Sequence, residues 1–227
     1  MVALLVIGGC TPGTGDPDAV RSGESEVSRA ALLDQSANVL FLGTSLTAGY
    51  GLEDPERAFP GRLQELIDSA GLPFRVTNAG VSGDTSAGGL ARLDWLLRSP
   101  VQVLVLELGA NDGLRGQDPD ALERNLTEII GRVRDANPGV RVILAGMEAP
   151  PNLGEIYTSR FRAVFPRVAE AENALLIPFL LEGVAGDREL NQPDGIHPTP
   201  EGHEVVTRHV WRALEPMLRE IAADAPQ

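Results

Sequence analysis

The stretch Val101-Gln102-Val103-Leu104-Val105-Leu106 runs directly into Glu107-Leu108-Gly109-Ala110-Asn111-Asp112-Gly113. Its first half is apolar on both faces of an extended chain, which predicts a central strand covered above and below. Its second half turns polar and glycine-marked, which predicts a loop. Strands covered on both faces belong to parallel sheets, because crossover helices supply the cover. Working outward, Val39–Leu42 reads as a strand ended by Gly43, and Phe74-Arg75-Val76-Thr77 as a weaker one. On the other side lie Val140–Ala145 and Leu175–Phe179, the latter with a proline, Pro178, that predicts a sheet edge. Between the strands fall helical stripes: Leu63, Leu66, Ile67 and Ala70; Leu90, Leu93, Leu96 and Leu97; and Leu122, Leu126, Ile129, Ile130 and Val133. The last of these starts near Pro119 and stops at Asn137-Pro138-Gly139, and further helices are expected over Ile156–Glu172 and Pro200–Ile221. The alternation predicts an α/β domain built on a five-stranded parallel sheet.

The chain has 227 residues, 19 basic and 32 acidic side chains, a formal charge of −13 and one cysteine. The length fits a single domain with a tail, large enough to bury a core without disulfides or metal. One cysteine excludes an intramolecular disulfide and a cysteine-based zinc site. The acidic balance argues against nucleic acid as a partner. Every basic residue is arginine, so a lysine nucleophile, a Schiff base and a P-loop are excluded. Trp95 and Trp211 sit on helical patterns and are expected in packing. His203 and His209, six apart on the last helix, are expected on its polar surface.

Residues 1–10 read MVALLVIGGC. The apolar run is far shorter than the roughly 20 residues that span a bilayer. Ile7-Gly8-Gly9-Cys10 resembles a bacterial lipoprotein cleavage box, which would make Cys10 the lipidated first residue and place a start codon upstream. Residues 11–36 are rich in glycine, proline, serine and acid, the composition of a disordered tether. The domain is expected over 37–222, with fraying from Ala222 on. Such an arrangement puts the domain in a bacterial cell envelope or periplasm, lipid-anchored, or else soluble in the periplasm or secreted.

Ligands of open parallel sheets sit beyond the carboxyl ends of the strands. Four polar, glycine-marked segments follow predicted strands there. Gly43-Thr44-Ser45-Leu46 exposes a serine at a sharp turn. Asn78 to Ser86 lets backbone N–H groups, Gly83 among them, approach a ligand. Leu108 to Gly113 offers the amide of Asn111. Asp194-Gly195-Ile196-His197 puts a carboxylate and an imidazole three residues apart. Each alone is an ordinary turn or loop signal. Together they make an acyl-transfer site, with Ser45 as nucleophile, His197 as base, Asp194 as its orienting acid, and the N–H groups of Ser45 and Gly83 with Asn111 Nδ2 as oxyanion donors.

These blocks resemble those of the SGNH (GDSL-type) hydrolases. The likeness is greatest to the bacterial arylesterase, acyl-CoA thioesterase and lysophospholipase branch, on Ser45–Tyr50, Ser82–Ser86, Gly89–Leu93, Leu108–Gly116 and Asp194–Pro198. The resemblance covers roughly Asn38 to Leu218. It implies a flavodoxin-like three-layer α/β/α sandwich, no metal or organic cofactor, and a small acyl or aryl ester as substrate; the chain is expected to be a monomer. It implies the Ser45–Asp194–His197 triad and the Ser45, Gly83 and Asn111 oxyanion hole. It implies a loop over Gly113–Asp118 that moves when acyl chains bind, with Asp112, Gly113, Leu114 and Arg115 near substrate. It also implies an acyl groove lined by Met147–Gly154, including Pro151. Arg115 can also be read as a solvated loop arginine. The chain departs from the family at Thr44, where an aspartate is usual. Gly-x-Ser-x-Gly is absent, which argues against the α/β-hydrolase elbow. Two other readings stand beside an acyl or aryl esterase: an O-acetyl esterase acting on cell-wall or other carbohydrate, and a ligand-binding module without activity.

Overall fold

The computed structural model describes residues 37–224. The expected leader at 1–10, with Cys10, and the tether at 11–36 lie outside the described residues. Five strands, β1 (Ala37–Gly43), β2 (Phe74–Gly80), β3 (Val103–Glu107), β4 (Arg141–Ala145) and β5 (Leu175–Ile177), form one sheet in the order β2-β1-β3-β4-β5. All four pairings are parallel. The central strand β3 is buried at all five positions, as a strand covered on both faces must be.

The helices are α1 (Ser45–Ala48), α2 (Phe59–Ser69), α3 (Ser86–Ala91), α4 (Leu93–Leu96), α5 (Ala110–Leu114), α6 (Pro119–Ala136), α7 (Glu155–Ala171) and α8 (Pro200–Asp224). The chain steps from β1 to β2 in one direction, and from β2 across to β3, β4 and β5 in the other. Right-handed crossovers therefore place the connecting helices on opposite faces. On one face α2 packs against α8; on the other α6 packs against both α3 and α7. The result is the three-layer sandwich expected from the sequence. Helix α6 follows its sequence signals closely: Asp118 caps it by accepting from Asp120 N, Pro119 opens it, and it stops before Asn137.

Three local expectations are corrected. The stripe from Leu90 to Leu97 is two short helices rather than one, because Arg92 leaves helical geometry and its side chain reaches Asp84 and the Gly43 carbonyl. Trp95 is 66% exposed and does not pack in the core. Helix α8 runs to Asp224, two residues past the expected domain end. Strand β5 sits at the edge and stops at Ile177, since Pro178 has no N–H to continue the ladder.

Strand register positions the loops that follow. Gly43 pairs with Gly80 on one side and with Glu107 on the other, so β1, β2 and β3 end in one row. Ser45, Gly83 and Asn111 leave that row two, three and four residues later. The row straddles the point where the strand order reverses, the place where open α/β sheets bind ligands.

His203 also departs from expectation. It is 1% exposed on α8, stacks on the Phe59 ring, and its Nδ1 accepts from Phe59 N at 3.3 Å. Helix α2 has no side-chain cap of its own, so His203 satisfies one of its free N–H groups. Burial, then the charges of Arg62 and His197, push the imidazole down to about 4 from 6.5. The unfolded chain takes up this proton below about pH 6.5, whereas the folded chain resists it until about pH 4, so stability falls as the pH drops through that window. In His203→Asn, Oδ1 replaces Nδ1 as acceptor and nothing titrates. Between about pH 8 and pH 5, urea unfolding of the wild type should lose roughly 2 kcal/mol more than the variant loses. Equal losses in the two proteins would remove His203 as the cause.

Candidate active site

The serine turn is built on a buried carboxyl group. Glu107, at the end of β3, is 1% exposed. Its Oε2 accepts from Thr44 N at 2.8 Å, Thr47 N at 3.2 Å and Thr47 Oγ1 at 2.7 Å, while Thr44 Oγ1 donates to Oε1 at 2.9 Å. Burial pushes the carboxyl up from its ordinary range, and these four donors from Thr44 and Thr47 pull it back only in part. Gly43 must lack a side chain for this approach, since a Cβ there would lie 2.0 Å from Thr47 Oγ1 and 2.6 Å from Glu107 Oε2. Thr44, standing where the family has aspartate, is thus an ordered part of the turn. Its Oγ1 also accepts weakly from Leu46 N at 3.4 Å.

The loop after β3 holds the loop after β2 at three points. Asn111 Nδ2 donates to Asp84 O at 2.9 Å, which leaves its second N–H for a ligand. Arg115 Nη2 donates to Gly83 O at 2.9 Å. Asp112 accepts from Ser86 N at 2.9 Å and Ser86 Oγ at 2.5 Å, and Asn125 Nδ2 of α6 donates to that same Oγ at 2.8 Å. Among the described residues neither the Ser45 N–H nor the Gly83 N–H finds a protein acceptor. Two expected substrate contacts are corrected here. Asp112 is 2% exposed and spent on Ser86, and Gly113 is buried, where a Cβ would stand 3.0 Å from Phe161. Arg115 is exposed and bonded to the Gly83 carbonyl.

The fourth segment reaches the serine from far along the chain. His197 Nε2 lies 3.0 Å from Ser45 Oγ, and His197 Nδ1 lies 2.6 Å from Asp194 Oδ2. Asp194 Oδ1 also accepts from Ile196 N at 2.9 Å and His197 N at 3.0 Å. The His197 ring and then these two N–H groups hold the Asp194 carboxyl down at about 2, so it stays ionised throughout the neutral range. The Tyr50 ring packs on the imidazole with centroids 4.6 Å apart.

Ser45, Gly83, Asn111 and His197 all line one cleft of about 620 Å³. Its walls are mainly apolar, with Leu114, Met147, Pro151, Phe179, Leu181 and Ile196 among them. Leu114 and Pro151, expected near substrate, both line this cleft. A serine, base and acid in hydrogen-bonded series beside free N–H donors can add an oxygen nucleophile to a carbonyl and stabilise the resulting oxyanion. Sequence reasoning gives no role to Glu107, Tyr50 or Gln192. A signal for Glu107 is nonetheless present: a carboxyl inside a strand buried on both faces must find donors. In Glu107→Gln the amide oxygen can take the place of Oε2, but the NH2 at the Oε1 position then faces Thr44 Oγ1, which must turn its own proton away. The substitution should cost about 1–3 kcal/mol of stability and lower turnover as the serine turn loosens. Wild-type melting and turnover would show that the turn is held by something else.

Known proteins resemble this chain over most of its length. The model of the GDSL-like lipase/acylhydrolase family matches residues 41–205. Esterase TesA of Pseudomonas aeruginosa is 42% identical over 191 residues, covering 82% of this chain and 94% of that protein. Thioesterase 1/protease 1/lysophospholipase L1 of Escherichia coli K12 is 38% identical over 192 residues, covering 84% and 88%. The crystal structure of AlinE4, an SGNH-hydrolase family esterase, is 39% identical and matches with a TM-score of 0.66 over 81% of this chain and 97% of that one. The chain therefore belongs to the GDSL-like lipase/acylhydrolase family and is a serine hydrolase of the SGNH type.

Proposed function

We propose that the protein hydrolyses carboxylic esters or thioesters of fatty-acyl, aryl or lysophospholipid type through an acyl-enzyme on Ser45. The observation that carries this is the 3.0 Å contact of Ser45 Oγ with His197 Nε2, in line with the 2.6 Å contact of His197 Nδ1 with Asp194. Ser45 Oγ attacks the carbonyl carbon as its proton passes to His197 Nε2. The oxyanion is met by the N–H groups of Ser45 and Gly83 and by the spare N–H of Asn111. The imidazolium, steadied by ionised Asp194, then protonates the leaving alcohol or thiol as the tetrahedral intermediate collapses. Water, deprotonated by His197, releases the acid by the same steps and returns the proton to Ser45. The apolar cleft supports an acyl or aryl group over the polyhydroxylated surface of a carbohydrate ester.

Ser45→Ala should abolish both fluorophosphonate labelling and p-nitrophenyl ester cleavage. Asn111→Ala should lower kcat by about 10²–10³ with smaller change in KM, as loss of one oxyanion donor does. A folded wild-type protein that neither labels nor cleaves across a panel of acyl, aryl and acetylated-glycan esters would overturn the reading.

For location, we propose a bacterial cell envelope, with Cys10 lipidated and 11–36 as the tether; a soluble periplasmic or secreted form is the other outcome. The Ile7-Gly8-Gly9-Cys10 box supports it. Among the described residues no helix is long and apolar enough to cross a membrane. Expressed in a bacterial host from its full reading frame, the protein should fractionate with membranes. Cys10→Ser should release it, and the mature N-terminal peptide should carry diacylglycerol on Cys10. An unmodified Cys10 would remove the anchor.

A further inference from the structure

The histidine loop is separate in sequence from the serine turn, yet its imidazole must meet Ser45 Oγ to within a few tenths of an ångström. One side chain spans the two. Gln192 Nε2 donates to Tyr50 O at 2.8 Å, in the segment that leaves α1 directly behind Ser45, and to Pro198 O at 3.0 Å, next to His197. Both N–H bonds of that amide are thereby used. The backbone of Gln192 is used as well: its N–H donates to His197 O at 2.7 Å and its carbonyl accepts from Gly195 N at 2.8 Å. Its neighbour Asn191 pins the other flank, with Nδ2 donating to Val184 O at 2.6 Å and Asp187 O at 2.7 Å.

The serine side is shaped to admit this amide. Gly51, next to Tyr50, has φ +78°, and a Cβ there would lie 2.1 Å from Gln192 Oε1. The residue whose carbonyl Gln192 holds, Tyr50, also packs its ring on the His197 imidazole. Gln192 makes no hydrogen bond to Ser45, Gly83 or Asn111; its bond to Tyr50 O crosses to the serine segment, while its other bonds order the histidine loop.

We infer that Gln192 is a positioning residue for the proposed triad, a clamp that sets His197 against Ser45 by joining the Tyr50 carbonyl to the Pro198 carbonyl. The inference rests on the Ser45–His197 reading. A misplacement of the base by about 1 Å can cost on the order of 100-fold in rate while leaving the acyl cleft intact. The clamp therefore predicts a loss in kcat rather than in KM.

The test is a double-mutant cycle on the full chain, with rates normalised to active sites titrated by a fluorophosphonate. Gln192→Ala should lower kcat by about 10- to 100-fold with KM within about twofold of wild type. Gln192→Glu keeps the shape but aims a carboxylate at two carbonyls, and should be at least as slow. Gly51→Ala should push the amide off its partners and reproduce the loss, whereas Gly71→Ala, also at positive φ but with open space around it, should not. In the Gln192→Ala background Gly51→Ala should cost little more in kcat than Gly71→Ala does, because the space its Cβ needs is then empty and only the backbone strain of a positive φ remains. Wild-type kcat in both Gln192 variants, a rise confined to KM, or fully additive losses would overturn the clamp. The same assay separates this from failure of the parent reading, since Ser45→Ala retaining activity would sink that reading whatever Gln192 does. Should Gln192→Ala prove too unstable to titrate, Gln192→Glu and Gly51→Ala decide the matter, and normal kcat in those two would equally overturn the clamp.

Discussion

A carboxyl group with no access to water must be met by donors, and at the end of β3 those donors are the backbone and hydroxyls of the serine turn. Glu107 cannot be satisfied from its own strand, whose N–H groups belong to the sheet. It is satisfied because Thr44 and Thr47 fold over it, which fixes the residues on both sides of Ser45. This demands the register that pairs Gly43 with Glu107, and it demands that position 43 carry no Cβ. A shift of one residue would turn Glu107 to the other face and leave both the carboxyl and the turn without partners.

The two halves of the proposed machinery are secured by different means. The oxyanion side comes from β1, β2 and β3, neighbouring strands that end in one row, and its loops are bonded to one another through Asn111, Arg115 and Asp112. Its geometry follows from the sheet. The base side hangs on a long connection between β5 and α8 with no strand beneath it. There the hydrogen bonds of Asp194, Asn191 and Gln192 do what the sheet does elsewhere.

The parts legible in the sequence are those with periodic or local signals. The five strands and the long helices can be read because apolar runs and stripes repeat, and Pro119 and Asn137 mark the ends of α6. The four blocks can be read because serine, glycine, asparagine and histidine stand just after strands. What cannot be read depends on contacts between segments far apart. His203 looks like a surface histidine on a helix until Phe59 N, 144 residues away, is found on its Nδ1. Asp112 sits beside Asn111 in sequence and invites the same role, but one step along a short helix turns it inward to Ser86. Gln192 carries no local signal at all, because both its acceptors are backbone carbonyls.

Thr44 shows how a departure from a family pattern can be absorbed where it occurs. An aspartate at this position would set a second carboxyl against that of Glu107, and two carboxyls in contact do not both ionise readily. One of them would have to hold a proton to bond the other. A threonine hydroxyl supplies that proton permanently: it donates to Glu107 and still accepts from Leu46 N in the manner of a helix cap. The turn then rests on one acid rather than two, and its order does not depend on a shared proton. The carboxylate bonded to His197 is Asp194, on another loop and held by the Ile196 and His197 N–H groups, so the exchange at position 44 leaves the histidine's partner untouched.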